Sequence, residues 1–178
     1  CADAHLSGGV LPVLKHIPGY GRAAVDSHLD LPRVDAPRAE LDDWDFAPFA
    51  ALADVPMGMT AHIVFSDIDS DAPATTSARM MEVIRKDIGF DGLLMTDDLS
   101  MEALSGTIGQ RAAASVAAGC DIILHCNGKA AEMEVVADAT GSMTAAAITR
   151  ANRALAMRKN PVNIDIPDLE AELSHLLG

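Results

Sequence analysis

Aromatic residues are scarce: one Trp, one Tyr and four Phe make up 3% of the 178 residues. Stacking platforms for bases or extended glycans are correspondingly few, so any sugar site must work through hydrogen bonds. Basic side chains are outnumbered by acidic ones, 13 to 26, for a formal net charge of −13 at pH 7. A polyphosphate or an anionic lipid surface would repel such a chain, which argues against nucleic acid and membrane as partners. No run of about 18 apolar residues occurs. Residues 1–9 also lack the charged start and apolar stretch of a signal peptide, although a chain that starts at Cys1 rather than Met fits a processed product or a fragment. The three cysteines, Cys1, Cys120 and Cys126, are odd in number and contain no CxxC pair, against a disulfide framework or a zinc knuckle. If Cys120 to Cys126 forms one extended strand, six steps of about 3.3 Å put the two roughly 20 Å apart, too far to bridge. Both read as buried small apolar groups, and a reducing cytoplasm fits.

What is present is an ordinary globular composition, 49% hydrophobic and 22% charged. The length suits one domain, yet a complete (β/α)₈ barrel takes about 250 residues. Short apolar runs alternate with amphipathic helical stretches. The runs Val10 to His16, Met57 to Phe65, Gly92 to Leu99 and Asp121 to Asn127 read as buried parallel strands. Helices are expected near Asp42 to Ala53, then over Ser77 to Ile88, Thr107 to Ala118, Ala130 to Ala139 and Met143 to Arg158. Within Ser77 to Ile88, Met80, Met81, Ile84 and Ile88 form an apolar row, with Arg79, Glu82, Arg85 and Lys86 on the other side. Strand-then-helix repetition implies an α/β fold with right-handed crossovers and a parallel sheet. After Asn160 and Pro161 the pattern breaks, and a short amphipathic helix, Asp168 to Leu177, reads as an appendage packed on the outside. The connection from His16 to Asp42 is unusually long, holds Pro18, Gly19 and Gly21 early and Pro32 and Pro37 late, and reads as a structureless functional loop.

In parallel α/β folds the site lies at the carboxyl ends of the strands. The four strands present there Lys15 and His16, then Thr60 and His62, then Asp97 and Asp98, then His125 and Asn127. Neighbouring strand residues face opposite ways, so if Asp97 looks into the site with Leu93 and Met95 beneath it, Asp98 looks away and bonds nearby backbone amides. His62, among apolar residues, reads as a satisfied core histidine. His125 and Asn127 line the rim or cap the strand, and His5 and His175 read as surface residues. In the long loop, Asp26-Ser27-His28 places a carboxylate two residues from an imidazole. Such a carboxylate can orient the ring and favour its protonated form, which suits a proton donor near neutral pH.

Taken in order, Lys15-His16-Ile17-Pro18-Gly19-Tyr20-Gly21, Val25-Asp26-Ser27-His28, Met59-Thr60-Ala61-His62 and Gly89-Phe90-Asp91-Gly92-Leu93-Leu94-Met95-Thr96-Asp97-Asp98-Leu99-Ser100-Met101 resemble the motifs of bacterial β-N-acetylglucosaminidases of glycoside hydrolase family 3. Ala118-Gly119-Cys120-Asp121 continues the likeness, which runs from about Val10 to Ala156. Family members often have His where Tyr20 stands. The resemblance implies a TIM barrel of which residues 1–159 are a C-terminal portion with about four strands, and residues 160–178 an extension. It implies a retaining glycosidase acting on terminal β-linked N-acetylglucosamine of muropeptides or chitooligosaccharides, in cytoplasmic peptidoglycan recycling. No metal or organic cofactor is implied. Asp97 matches the nucleophile, His28 with Asp26 the acid/base dyad, and Lys15 and His16 the positions that bond sugar hydroxyls. Lys15 would also favour the ionised Asp97. The earlier barrel strands are not in this chain, so the missing N-terminal half of the barrel is an expected partner.

Two other classes fit parts of the pattern. His16, His62, His125 and Asp97 on strands could serve a metal-dependent TIM-barrel hydrolase, although no HxH or HExxH occurs and the Asp26-His28 loop would then have no task. An inactive sugar-binding or interaction fragment, with exposed half-barrel edges pairing elsewhere, is the non-enzymatic reading. Within the family, a phosphorylase with phosphate in place of water is a further variant.

Overall fold

The computed structural model describes residues 1–27, 29–161 and 163–178. Its centre is a four-stranded, wholly parallel sheet in the order β1 (Val13–Ile17), β3 (Met57–Thr60), β5 (Leu93–Asp98), β6 (Ile122–Leu124). Neighbours in space are successive in the chain, with helical segments between them, which is the connectivity of a stretch of (β/α) barrel rather than of a doubly wound sheet. The α/β parallel architecture is as the alternation of apolar runs implied.

Boundaries differ from the sequence expectation for physical reasons. The run Met57 to Phe65 is not one strand. After Thr60 the chain leaves the sheet, and β4 (Val64–Phe65) pairs instead with β2 (Arg33–Val34) in a separate two-stranded sheet. Thus the connection after β1 is not structureless: its later part carries β2, which a two-residue length hides from any pattern. The helix expected from Asp42 begins earlier and runs as α2 (Arg38–Glu40), a π-type segment Leu41–Phe46 and α3 (Ala47–Ala50). A first helix, α1 (Ala2–Ser7), buries none of its residues and so has no apolar face to read.

Packing follows the predicted helix face. α4 (Ala78–Glu82) is capped by the Ser77 hydroxyl accepting from the Met80 amide at 3.1 Å and continues as a π-type turn Val83–Asp87. Met80, Met81, Ile84 and Ile88 are buried against a core that includes Ile17, Phe46, Phe65, Phe90 and Leu94. Each such side chain contributes about 1.5–3 kcal/mol. Gly58 on β3 is required by this packing, since a Cβ there would lie 2.6 Å from Ile17 Cδ1 and 2.8 Å from the Phe90 ring. A second core cluster, Leu99, Leu104, Ala112 and Val136, seats α5 (Ile108–Ala118) and α6 (Ala130–Thr140).

At the amino ends of the strands, the Arg85 guanidinium bonds the Phe90 and Gly92 carbonyls and Asp121, whose other oxygen takes Arg150 of α7 (Ala145–Ala156) at 3.0 Å. This network ties α7 to the sheet. The last helix, α8 (Ile166–Leu177), buries none of its residues, so the expected packing against the outside is not realised in this chain. Among the described residues no helix is long and apolar enough to cross a membrane.

Candidate active site

The carboxyl ends of β1, β3 and β5 meet at one place. β1 contains a cis peptide at Lys15-His16, and the chain leaves it through a second at Ile17-Pro18 and through Gly19 at φ +142°, a conformation for which glycine is favoured. A Cβ on Gly19 would also lie 3.5 Å from the Asp45 carbonyl and the Phe49 ring. Arg22 then anchors the departing loop by bonds to Asp45 at 2.8 Å and Glu40 at 2.7 Å. By these contacts the loop is held against the α2–α3 run.

Asp97 lies on β5 next to His16. Its Oδ1 accepts the Asp98 amide at 2.8 Å, and its Oδ2 is 3.5 Å from His16 Nε2. Both side chains are partly open, 27% for His16 and 17% for Asp97, so a ligand can reach them. The His16 ring meets Tyr20 edge to face, centroids 5.3 Å apart. Among the described residues, the basic group within 4 Å of the Asp97 carboxylate is His16 rather than Lys15. Lys15 is exposed on β1 in register with Met59.

Tyr20 connects this pair to the loop. Its hydroxyl accepts the His62 amide at 2.8 Å, and Ser27, the residue between Asp26 and His28, is near enough to lower its pKa. Burial raises the Tyr20 pKa, and the nearby charges of Asp97 and Asp26 push in the same direction. The backbone around Asp26 forms a turn in which its carbonyl accepts the amides of Leu29 at 2.9 Å and Asp30 at 3.0 Å. His28 itself lies outside the described residues.

Two of the weighed alternatives resolve as structural. Asp98 accepts the Ser100 and Cys126 amides, each at 3.0 Å, and the Ser100 hydroxyl. Burial alone would raise its carboxyl, but these bonds hold it below the ordinary value. It thereby fixes the turn after β5 to the end of β6. His62 is fully buried, with its ring between the Thr75 hydroxyl at 2.7 Å and the Asp98 carbonyl at 3.0 Å, and burial lowers its pKa.

His125 bonds Glu132 at 3.0 Å, away from the His16–Asp97 pair. Among the described residues no three His, Cys, Asp or Glu side chains are grouped to hold a metal ion, so the four strand residues of the metal-site reading do not form a ligand set. Of the cysteines, Cys120 is buried, its thiol pushed up to about 12 by burial, whereas Cys126 is exposed, against expectation. The cause is that β6 ends at Leu124, so Cys126 lies beyond the sheet.

Sequence reasoning did not find Thr75, Ser27 or Arg111 as parts of this site. Thr75 is 15 residues from Thr60 and sits on a short 3₁₀ turn, Ala74–Thr76, in an unpatterned stretch. Arg111 on α5 donates to the Leu99 and Met101 carbonyls and so holds the loop that follows Asp97 and Asp98. Their partners are distant in sequence, and no local spacing signals them. Tyr20 did stand out, as a departure from the resembled motif. A cavity of about 430 Å³ lies elsewhere, beside the edge strand β6, with a lining that includes Val116, Ile123, Met133, Val136 and Met143.

Comparison with known proteins adds to this geometry. Residues 2–157 match the model described as the glycosyl hydrolase family 3 N terminal domain. This corrects the placement of the chain in a C-terminal part, because the match falls on the N-terminal domain. A beta-hexosaminidase of Chromobacterium violaceum is 41% identical over 124 residues, 67% of this chain and 35% of that protein. The chain therefore spans about a third of the length of such relatives. A glycoside hydrolase family 3 beta-N-acetylglucosaminidase from Paenibacillus superposes with a TM-score of 0.77 at 30% identity, covering 93% of this chain and 35% of that one. NagZ from Neisseria gonorrhoeae, crystallised with N-trifluoroacetyl-D-glucosamine, gives 0.70 at 33% identity, covering 85% of this chain and 43% of its own.

Proposed function

Since the chain belongs to glycosyl hydrolase family 3, with residues 2–157 matching the N-terminal domain, we propose that it carries the catalytic half of a retaining β-N-acetylglucosaminidase barrel. The observation that bears most of the weight is the Asp97–His16 pair at the strand ends. One Asp97 oxygen is tied to the Asp98 amide, and the other lies 3.5 Å from His16 Nε2 in a partly open position. A carboxyl group held this way is oriented before substrate arrives, which is where a nucleophile gains its rate.

In the proposed reaction Asp97 attacks the anomeric carbon and the bond to the aglycone oxygen breaks. His28, oriented by Asp26, gives that oxygen its proton. The glycosyl–Asp97 ester is then hydrolysed by a water whose proton returns to the neutral His28, restoring both groups. Lys15 and His16 bond sugar hydroxyls. Tyr20 supports this assignment, because its hydroxyl takes the His62 amide at the strand ends and feels the charges of both Asp97 and Asp26. The substrate class is an N-acetylglucosamine-terminated muropeptide or chitooligosaccharide, a reading supported by the N-acetylglucosamine analogue held by the gonococcal relative. We place the reaction in cytoplasmic cell-wall recycling. The edges of β1 and β6, with the apolar cavity beside β6, are where the strands lying outside this chain complete the barrel.

Trapping tests the chemistry. A fluorinated N-acetylglucosaminyl donor is expected to leave a covalent sugar on the peptide containing Asp97, and the Asp97→Asn variant is expected to leave none. An adduct on a peptide without Asp97 refutes the nucleophile assignment. Saturable binding of N-acetylglucosamine with no adduct selects the sugar-binding fragment instead.

A further inference from the structure

The proposal below rests on the reading of Asp97 as the nucleophile. The relevant group is His62, fully buried on the β3 side of the site and at the centre of a closed hydrogen-bond chain. Its Nε2 lies 3.0 Å from the Asp98 carbonyl, and its Nδ1 lies 2.7 Å from Thr75 Oγ1. Thr75 Oγ1 in turn is 2.8 Å from Thr60 Oγ1 and 3.1 Å from the Ala61 carbonyl. Both threonines are fully buried, so water cannot substitute for a missing partner.

Counting protons fixes the arrangement. A carbonyl can only accept, so Nε2 must carry a hydrogen for the contact with Asp98 to be a bond. Burial lowers the His62 pKa, which favours the neutral ring with a single N–H, and that N–H is then committed to Asp98. Nδ1 is left as an acceptor, and among the described residues its donor is Thr75, whose hydroxyl must turn from Ala61 toward the ring. Thr60 supplies the hydrogen that Thr75 Oγ1 accepts. The opposite tautomer would set the Nε2 lone pair against a carbonyl oxygen at 3.0 Å, with no hydrogen between them. The direction is therefore Thr60 to Thr75 to His62 to the Asp98 carbonyl.

Asp98 is also the residue whose amide donates to Asp97 Oδ1, at 2.8 Å. We infer that His62, held in one tautomer by Thr75 and Thr60, is a positioning residue for the nucleophile. By gripping the Asp98 carbonyl it holds the end of β5 that aims the Asp97 carboxylate at the anomeric carbon. Neither His62 nor Thr75 needs to touch the sugar for this. A misplacement of the reacting oxygen by about 1 Å costs roughly 10²-fold in rate.

The test uses the full chain in two arms, with His62→Gln and Thr75→Val as variants. In the first arm, long-range ¹H–¹⁵N spectra of the wild type are expected to show His62 as the Nε2–H tautomer. The Asp98 amide and Asp97 carboxyl-carbon resonances are expected to move in both variants. An Nδ1–H tautomer overturns the proposal, as do unmoved Asp98 amide and Asp97 carboxyl-carbon resonances. In the second arm, the rate of labelling by the fluorinated sugar is expected to fall roughly 10²-fold in His62→Gln, with affinity for N-acetylglucosamine within about twofold of wild type. Equal losses in binding and labelling indicate a merely structural role and overturn it. If the wild type is never labelled, the glycosidase reading fails, and the spectroscopic arm decides the positioning role by itself.

Discussion

Replacing Tyr20 by Phe removes one oxygen and leaves the ring that meets His16 edge to face. That oxygen accepts the His62 amide at 2.8 Å and has Ser27 nearby. His62 is fully buried, so its N–H loses its acceptor without gaining water, at a cost of about 1–3 kcal/mol. Ser27, which acts on the pKa of the hydroxyl, adds a smaller share, about 0.5 kcal/mol. A destabilisation of about 2 kcal/mol follows, and for a chain of this size that is a Tm lower by roughly 4–8 °C. The same oxygen adjoins Ser27, so amide exchange at Ser27 should quicken along with the loss of stability. Urea titration of wild type, Tyr20→Phe, Ser27→Ala and the double variant gives the pairwise term. The pH dependence carries a sign as well. Burial raises the folded-state pKa of Tyr20 above its unfolded value, so its contribution is complete below about pH 10 and fades as pH rises through the folded value. The difference between wild type and Tyr20→Phe should accordingly shrink at high pH. A Tyr20→Phe loss under about 0.5 kcal/mol, or strict additivity with Ser27→Ala, would refute the reasoning.

His28→Ala should slow substrates with poor leaving groups far more than activated aryl N-acetylglucosaminides, because only the former need a proton at the departing oxygen; steady-state kinetics on the two classes checks this, and equal losses count against the acid role. Glu132 accepts from His125, Asn127 and Lys129, which depresses its pKa to about 2. Its stabilising contribution is therefore present above the unfolded value near 4.3 and is lost as pH falls toward 2. Glu132→Gln should flatten the acid limb of a plot of urea midpoint against pH between about 5 and 2; unchanged curvature shows that the three bonds do not matter to folding.

How much of this the sequence revealed depended on whether the determining contacts were local. The apolar row Met80, Met81, Ile84, Ile88 is a matter of helical period, and it is buried as read. Asp97 and Asp98 separated correctly because alternate strand residues must face opposite ways, and Asp98 does bond backbone amides. His62 was legible as a satisfied core histidine from its apolar neighbours alone. By contrast, β2 and β4 escaped notice because two-residue strands have no period, and the apolar run after Thr60 reads the same whether it stays in the sheet or leaves it. Thr75 carries no signal at all, since its partners Thr60 and His62 stand 15 and 13 residues away.

Those non-local bonds are what give the site a single geometry. The His62 amide is held by Tyr20, which adjoins the loop residue Ser27, while the His62 ring holds the Asp98 carbonyl, and the Asp98 amide holds Asp97. One residue thus receives the loop on its backbone and presents the nucleophile through its side chain. A loop that drifted from the strand ends would release the Tyr20 hydroxyl, leave the His62 amide unpaired and loosen the support of Asp97. Because an unpaired buried N–H costs about 1–3 kcal/mol, loop placement and nucleophile placement are energetically linked. That link accounts for a buried polar path in an otherwise apolar core, which simple satisfaction of a core histidine does not require.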